Sequence, residues 1–275
     1  MEQLILMKQR IKAVETIKKV TRAMRLISMS SHTRLNEKKK HLIKYKKTFE
    51  EVWNSVQPVL PEDTEELTSI SNRHLMILVG SQKGLCGTFN TSLFKFFSQH
   101  KAPLRNSSSF IGVGPYAVEY LERKQISPVV SFDNFTAAHF VAIAQAITDY
   151  IIKTRIHYKT VTVFSNKSKT FFVQLPQRVQ IYPLVKPTFS EVVQTEYLFE
   201  QSPEKLKDTL DTLLLSLNIQ ELLFDSLVAE QAARFVSMDA STRNAENLLT
   251  SLKIGYNKVR QASITRELTE LSASQ

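Results

Sequence analysis

The C-terminal quarter of the chain constrains the fold most, because little in it could interrupt a helix. Residues 202–275 contain one proline, Pro203, and one glycine, Gly255. Proline and glycine are the residues that most disfavour a helix interior. Proline suits the first turn of a helix, and the acid Glu204 suits the positive end of the helix dipole. The pattern predicts a single helix over residues 203–272, roughly 100 Å long.

Apolar residues in this segment recur at alternating steps of three and four, which is the period of a coiled-coil seam. The two predicted rows are Leu214, Glu221, Val228, Phe235, Thr242, Leu249, Tyr256 and Ser263, and Leu217, Phe224, Gln231, Met238, Ala245, Leu252, Val259 and Arg266. In the last turns the apolar stripe moves off these rows to Ile264, Leu268 and Leu271. A helix of this length outreaches any compact domain built from the remaining chain, so its seam needs a partner.

A second long helix is predicted over residues 1–57, which contain neither glycine nor proline. Its apolar row is Met7, Ile11, Val14, Ile17, Val20, Met24 and Ile27, continuing at Leu35, Leu42, Tyr45, Phe49, Val52 and Val56. This segment has fourteen Lys and Arg against five Glu, whereas residues 203–275 are mildly acidic. Antiparallel pairing would bury both apolar seams and bring opposite charges together.

The middle of the chain alternates short strands with helices, which is typical of a parallel sheet. The predicted strands are 75–79, 110–113, 129–132, 160–164, 170–175 and 178–184, the helices are 91–99, 115–124 and 137–154, and residues 62–74 are an exposed linker. The predicted fold class is α/β: a long antiparallel coiled coil of the N- and C-terminal helices, plus a small Rossmann-like α/β domain over 75–185 with a largely parallel sheet.

The composition indicates in which cellular compartment the chain is expected. No stretch approaches eighteen consecutive apolar residues, and no secretory signal pattern is visible, so we expect neither a membrane span nor export. The only cysteine, Cys86, excludes an internal disulfide and fits a reducing compartment.

The formal charge of +10 lies almost entirely on residues 1–57, where Lys38, Lys39, Lys40, Lys44, Lys46 and Lys47 form a cluster. A solvated helix face is the favoured interpretation, because no interleaved aromatic residues or nucleic-acid motif accompanies the lysines. Attraction to an acidic protein partner is a second interpretation. A coiled-coil adaptor or basic nucleic-acid-binding protein is the alternative function.

The glycine-rich run at residues 80–88 (GSQKGLCGT) fails as a phosphate loop, because Lys83 precedes Gly84 and no Gly-Lys-Ser follows. Six histidines show no metal-ligand spacing, and the acidic residues are scattered. We therefore predict no catalytic residue, no cofactor, no metal and no small-molecule substrate. An enzyme that uses Cys86 is a third hypothesis; it requires an activity that Cys86→Ala abolishes.

Four segments resemble the gamma subunit of F-type ATP synthase. They are residues 11–24 (IKAVETIKKVTRAM), 84–87 (GLCG) with Asn90, 226–234 (SLVAEQAAR) and 256–270 (YNKVRQASITRELTE). The resemblance runs through the chain in order and is most specific at the C-terminus. Gln82 departs from it, standing where the family usually has an acid.

The resemblance implies a non-catalytic rotor, the central stalk, which couples ion flow through the membrane ring to ATP synthesis or hydrolysis. The implied partners are the alpha and beta subunits, three of each per gamma, the epsilon subunit and the c-ring, with no nucleic acid. The implied location is the cytoplasmic side of a bacterial inner membrane. By motif correspondence the contacts with the alpha/beta ring are Met24, Arg234, Arg260, Gln261, Thr265 and Glu267.

Overall fold

The computed structural model describes residues 2–61, 73–101, 107–154, 158–184 and 201–273. The chain divides into two compact units. Residues 1–30 and 234–275 form one, called here the helix-pair unit, and residues 31–233 form the other, called the sheet unit. Both units contain part of each terminal helix. The domain boundaries predicted from the sequence, 1–57, 75–185 and 203–272, stay predictions.

Both predicted terminal helices are present. The first, α1, spans Glu2–Val56 and is followed by a short 3-10 turn, Gln57–Val59, which contains Pro58. The C-terminal helix spans Pro203–Ala273 and carries Glu204 in its first turn, as the start signal predicts. Since proline lacks a backbone N–H and fixes φ, Pro58 and Pro203 mark where the long helices end and begin.

The remaining elements lie between these helices. They are β1 (His74–Val79), α2 (Phe89–Lys101), β2 (Ser108–Val113), α3 (Pro115–Arg123), β3 (Val130–Phe132), α4 (Phe140–Lys153), β4 (Thr160–Thr170) and β5 (Val173–Tyr182); the C-terminal helix is α5. Among the described residues these strands form one sheet in the order β3-β2-β1-β4-β5. All neighbouring pairs are parallel except β4 with β5. The predicted α/β class with a largely parallel sheet is confirmed.

The prediction of three separate strands after residue 160 is wrong. The chain instead forms one hairpin, in which β4 and β5 are joined at Phe171 and Phe172 and pair as far as Thr170 with Val173. The polar run at residues 165–169 (SNKSK) suggests a loop, but hydrogen bonds to a neighbouring strand hold it extended. His74, predicted in the linker, begins β1, and residues 62–72 of that linker lie outside the described residues.

Both faces of the sheet are covered, which explains why β1 is a continuous apolar run. On one face, Met76 and Leu78 pack with α2 and α3. On the other face, Leu75, Ile77 and Val79 join a core formed with α4 and α5. Alternate side chains of one strand therefore serve two different cores.

A separate cluster joins the two long helices within the sheet unit. Phe49, Trp53 and Val56 of α1 pack with Leu210, Leu214 and Leu217 of α5. Tyr45 and Val52, which the predicted row places inward, are about half exposed. The error is one of helix phase, because Trp53 lies four residues after Phe49 on the buried face.

One segment of α5 has the length and composition of a membrane span, although no stretch of the sequence approaches eighteen consecutive apolar residues. A window of this helix is long and apolar enough to cross a membrane by length and composition, and 72% of that window is buried inside the protein. The same helix contributes Leu215, Ile219 and Leu223 to the core against the sheet. Packing against the chain's own sheet accounts for such an apolar composition.

Candidate partner-binding surface

In the helix-pair unit, α1 and α5 pack antiparallel around a narrow apolar seam. Val14 packs with Ala245 and Leu249. The rows predicted on α5 are confirmed in this unit, since their members are buried or half-buried: Phe235, Met238, Thr242, Ala245, Leu249, Leu252, Tyr256, Val259 and Ser263. Arg266, the last predicted member, is exposed.

The row predicted on α1 is wrong at Ile17, Val20 and Ile27, although Met24 of the same row is half-buried. Ile17, Val20 and Ile27 are each more than half exposed, whereas Thr21 and Ser28 are buried. The predicted row takes several three-residue steps in succession, and each such step turns the helix by only about 300°. A row of that kind drifts off the contact, while a seam that alternates steps of three and four continues through Thr21 and Ser28.

Polar groups therefore occupy the middle of this seam. Thr242 Oγ1 donates a hydrogen bond to Thr21 Oγ1 at 2.9 Å, and both hydroxyls are buried. Ion pairs between the helices flank it: Arg25 with Asp239 at 2.6 Å, Lys18 with Glu246 at 3.0 Å, and Glu15 with Lys253 at 3.2 Å. Partly exposed pairs of this kind add little free energy. Their main effect is to fix which residues of the two helices face each other.

The residues predicted to contact a partner ring do not form one cluster. Arg234 is only 5% exposed, and Met24 is half-buried. Arg260, Gln261 and Thr265 are exposed. Since Arg234 and Arg260 are 26 residues apart on one helix, about 40 Å of helix separates them. The described side chains do not include that of Glu267.

The exposed group near the C-terminus has a regular arrangement. The Thr265 hydroxyl donates to the Gln261 backbone carbonyl oxygen at 3.0 Å, and Gln261 is exposed. Ile264 and Leu268, predicted to leave the seam, are both exposed. This end of the helix thus presents apolar and hydrogen-bonding groups together.

Sequence reasoning missed a second exposed apolar strip, on α1. It consists of Ile17, Val20 and Ile27, the residues that the drifting row had placed inside. Strict alternation of three- and four-residue steps from Val14 would have found it, because that pattern assigns these positions to the outer face.

In the sheet unit, the glycine-rich loop between β1 and α2 is tied to its surroundings by polar side chains. The Ser81 N–H donates to Asn90 Oδ1 at 3.1 Å, and Asn90 Nδ2 donates to Ser81 Oγ at 2.7 Å. The Gln82 N–H donates to the buried carboxylate of Glu230 on α5, at 3.1 Å. Gln82 Oε1 accepts a hydrogen bond from the Phe135 N–H at 2.6 Å.

Cys86 lies in the same loop and is buried. It packs with Phe89, Ala229 and Ala233, which joins the loop to α5. Its sulfur accepts from Asn90 Nδ2 at 3.7 Å. This packing is that of a small hydrophobic side chain.

The lysine cluster on α1 is divided between two environments. Lys39 binds Asp225 at 2.5 Å and Lys46 binds Glu221 at 2.5 Å, both on α5. Lys38, Lys40, Lys44 and Lys47 are exposed. Within the part of the chain that the structure describes, no group of three or more His, Cys, Asp or Glu could hold a metal ion.

A family model described as ATP synthase matches residues 3–275. The chain belongs to the ATP synthase family. Among its curated relatives, the ATP synthase gamma chain of Rickettsia typhi is 28% identical, over 99% of this chain and 98% of the relative. The ATP synthase gamma chain of Chlorobium phaeobacteroides is 27% identical, over 95% and 94%. The resemblance to gamma subunits is confirmed.

Two solved structures of the ATP synthase family share this fold. One chain, from the OSCP/F1/c-ring of the Euglena gracilis mitochondrial ATP synthase in rotational state 3, gives a TM-score of 0.73 at 14% identity. The likeness covers 99% of this chain and 93% of that one. A chain from the rotor of the same enzyme in rotational state 1 gives 0.67 at 13% identity, over 96% and 99%. The match therefore includes both terminal helices and the sheet.

Proposed function

We propose that this chain is the gamma subunit, the central-stalk rotor, of an F-type ATP synthase. It couples ion flow through a membrane ring to ATP synthesis or hydrolysis on an alpha/beta ring. The observation that carries the proposal is the full-length family match, residues 3–275, which includes both terminal helices. A paired helix with few glycines is stiff, and stiffness is what a rotating shaft requires.

The proposed assembly has one copy of this chain with three alpha and three beta subunits, an epsilon subunit and the c-ring. Catalysis lies on the beta subunits, and this chain is non-catalytic. The complex lies on the cytoplasmic side of a bacterial inner membrane, with this chain as a peripheral component. The bacterial gamma chains among its relatives support that location.

We divide the proposed ring contacts into two kinds. Arg260, Gln261 and Thr265 are exposed and can contact the ring directly, and Glu267 belongs to the same motif. Arg234 is buried, so it would act by holding neighbouring groups of α5 in place. Met24 precedes Arg25, which pairs with Asp239, and this places Met24 at the same end of the helix-pair unit as Arg234.

The assembly is tested by affinity capture of the tagged chain from native membranes. We expect three alpha and three beta subunits for each copy of the chain, together with epsilon and c subunits. Capture of the intact chain without alpha and beta would refute the proposal.

The contact residues are tested with Arg260→Ala and Gln261→Ala in the captured complex. We expect both the rate of ATP hydrolysis and the rate of ion pumping to fall, because each change removes a polar group from the proposed ring contact. Arg243→Ala is the matched control: it removes an exposed arginine of the same helix that pairs with Asp239 of that helix. Equal losses in all three variants would show that the effect is not specific to the motif.

The nucleic-acid alternative has its own test, which uses the full chain and generic DNA or RNA. Lys39 and Lys46 are already paired with acids of α5, so fewer lysines of the cluster are available to phosphates. We expect no binding at physiological salt. Tight binding that weakens steeply with salt would favour the alternative.

A further inference from the structure

The β4–β5 hairpin extends beyond the rest of the sheet. The pairing of β1 with β4 ends at Leu78 and Phe164. From Ser165 onward, β4 pairs with β5 as a two-stranded ribbon, residues 165–177. A two-stranded ribbon is marginally stable in water by itself. Other elements must therefore support it.

The first support lies at the base of the ribbon. Asn166 is buried, and its Nδ2 donates a hydrogen bond to the carbonyl oxygen of Phe89, at the start of α2, at 3.1 Å. Gln177 Nε2 on β5 donates to Ser165 Oγ on β4 at 3.1 Å. These contacts fix the direction in which the ribbon leaves the sheet.

The second support is a charged contact that joins three elements. Asp225 of α5 has a nearly buried carboxylate, with side-chain exposure of 4%. Lys39 of α1 lies 2.5 Å from its Oδ1, and Lys167 of the ribbon lies 3.6 Å from its Oδ2. A buried carboxylate is costly unless paired, so Asp225 holds both lysines close.

The third support is at the ribbon's tip. The ring of Phe171 packs edge to face against the ring of His32 on α1, with ring centroids 4.8 Å apart. The neighbouring Phe172 is 69% exposed, and its ring packs edge to face against Phe171, with ring centroids 5.1 Å apart. The ribbon thus contacts α2, α5 and α1 along its length, and its tip ends on α1.

We propose that the β4–β5 ribbon is a strap that fastens α1 and α5 to the sheet, with Phe171 and Lys167 as its positioning residues. A second part of the inference rests on the proposed function. In the rotating complex, the strap carries torque between the sheet and the two helices. Without it, fewer directional contacts would hold the helices to the sheet: the apolar core and the hydrogen bond from the Gln82 N–H to Glu230 of α5 would remain.

The strap itself is tested in the isolated full chain by amide hydrogen exchange. We expect Phe171→Ala to speed exchange across residues 165–177 by about tenfold, because the ribbon's opening becomes easier. Leu175→Ala, which shortens an exposed apolar side chain of the same ribbon, is the control and should leave exchange unchanged. Lys167→Gln is a milder variant that keeps the Lys39–Asp225 pair, and the exposed Lys169→Gln is its control.

The torque role is tested in the assembled complex. A cysteine placed at the exposed Lys124 attaches a probe to the sheet unit, since the native Cys86 is buried. We measure angular fluctuation of the probe in the stalled enzyme. Phe171→Ala and Lys167→Gln should broaden the variance at least about twofold, with no change for the two controls.

Each result has a distinct meaning. Unchanged exchange in Phe171→Ala would overturn the strap. Faster exchange with unchanged angular variance would overturn its torque role alone. An effect of Leu175→Ala as large as that of Phe171→Ala would overturn the strap, because the loss of any apolar side chain would then loosen the ribbon. If the wild-type chain fails to assemble with alpha and beta subunits, the proposed function fails, while the exchange result still decides the strap.

Discussion

A glycine near the end of α5 shows how close the two long helices come. A β-carbon added at Gly255 would lie 3.2 Å from Cε of Met7 on α1. That distance is tight, but the atom it meets is the flexible end of a methionine side chain. The glycine therefore permits a close approach at the cost of helix propensity, which for glycine is about 1 kcal/mol relative to alanine.

We predict that Gly255→Ala raises the free energy of unfolding by up to about 1 kcal/mol, because the gain in helix propensity exceeds the cost of moving Met7. Thermal unfolding of the isolated chain, followed by circular dichroism, measures the change. The double variant Met7→Ala with Gly255→Ala is the control that removes the tight contact. A loss of stability in the single variant, restored in the double variant, would show that the close approach dominates.

A second residue-scale feature is the buried imidazole of His32. Burial lowers the pKa of His32 below its ordinary value of 6.5. Its Nδ1 lies 3.3 Å from the Asn36 side-chain nitrogen, which donates hydrogen bonds, so the neutral ring is the form that fits. Protonation would add a charge next to the Phe171 ring and remove that acceptor.

We predict that His32 destabilises the fold as the pH falls below about 6.5. The sign follows from linkage: the folded pKa lies below the unfolded one, so the contribution is complete above the unfolded value and is lost as pH falls through the folded value. The measurement compares the pH dependence of the melting temperature for wild type and His32→Leu. His41→Gln, an exposed histidine on the same helix, is the control. Parallel curves for wild type and His32→Leu would contradict the prediction.

At the scale of the element, α1 shows that two apolar positions of one helix can have opposite roles. Val14 is 8% exposed and packs with Ala245 and Leu249, whereas Val20 is 51% exposed. The same substitution can therefore be made on both faces of the helix.

We predict that Val14→Ala lowers the free energy of unfolding by about 2 kcal/mol, from lost burial and the cavity left behind. Val20→Ala should change it by less than about 0.5 kcal/mol, as for other exposed positions. Chemical denaturation of the isolated chain measures both. Equal losses in the free energy of unfolding would support the row predicted from the sequence, in which both valines face α5.

At the scale of the whole molecule, the exposed apolar side chains near the C-terminus separate folding from assembly. Leu268 is 62% exposed, so its side chain contributes little to the isolated fold. We infer that, in the proposed assembly, this end of α5 lies inside a largely apolar sleeve formed by the alpha/beta ring. Its apolar surface would then be buried only after assembly.

We predict that Leu268→Asp leaves the melting temperature of the isolated chain within about 2 °C of wild type, because an exposed site tolerates a charge. In the complex it should reduce recovery of alpha and beta subunits, since a charge would enter an apolar sleeve. Leu175→Asp, at an exposed leucine of β5, is the control and should assemble normally. Recovery of alpha and beta subunits at the wild-type level in Leu268→Asp would contradict the inference that Leu268 lies in an apolar sleeve.

Sequence alone determined the features that depend on neighbours along the chain. Prolines and the lack of glycine set the extent of both long helices, and apolar runs separated by turn residues gave the order of strands and helices. The seam on α5 was also readable, because there its apolar residues alternate cleanly in steps of three and four. The exposed group at Arg260, Gln261 and Thr265 came from the family resemblance and not from any pattern in the chain.

Only the tertiary structure decided the features that depend on distant residues. Ile17 and Val20 follow Val14 at helical steps just as Lys18 and Thr21 do. Strict alternation of steps favours the second set, and its contacts with Thr242 and Glu246 of α5 decide that this set faces inward. The ribbon beyond Phe164 is extended because β5 pairs with it and α1 and α5 support it. The physical reason is common to both cases: burial and hydrogen bonding are supplied by partners far away in sequence, and a local pattern records only that some partner is needed.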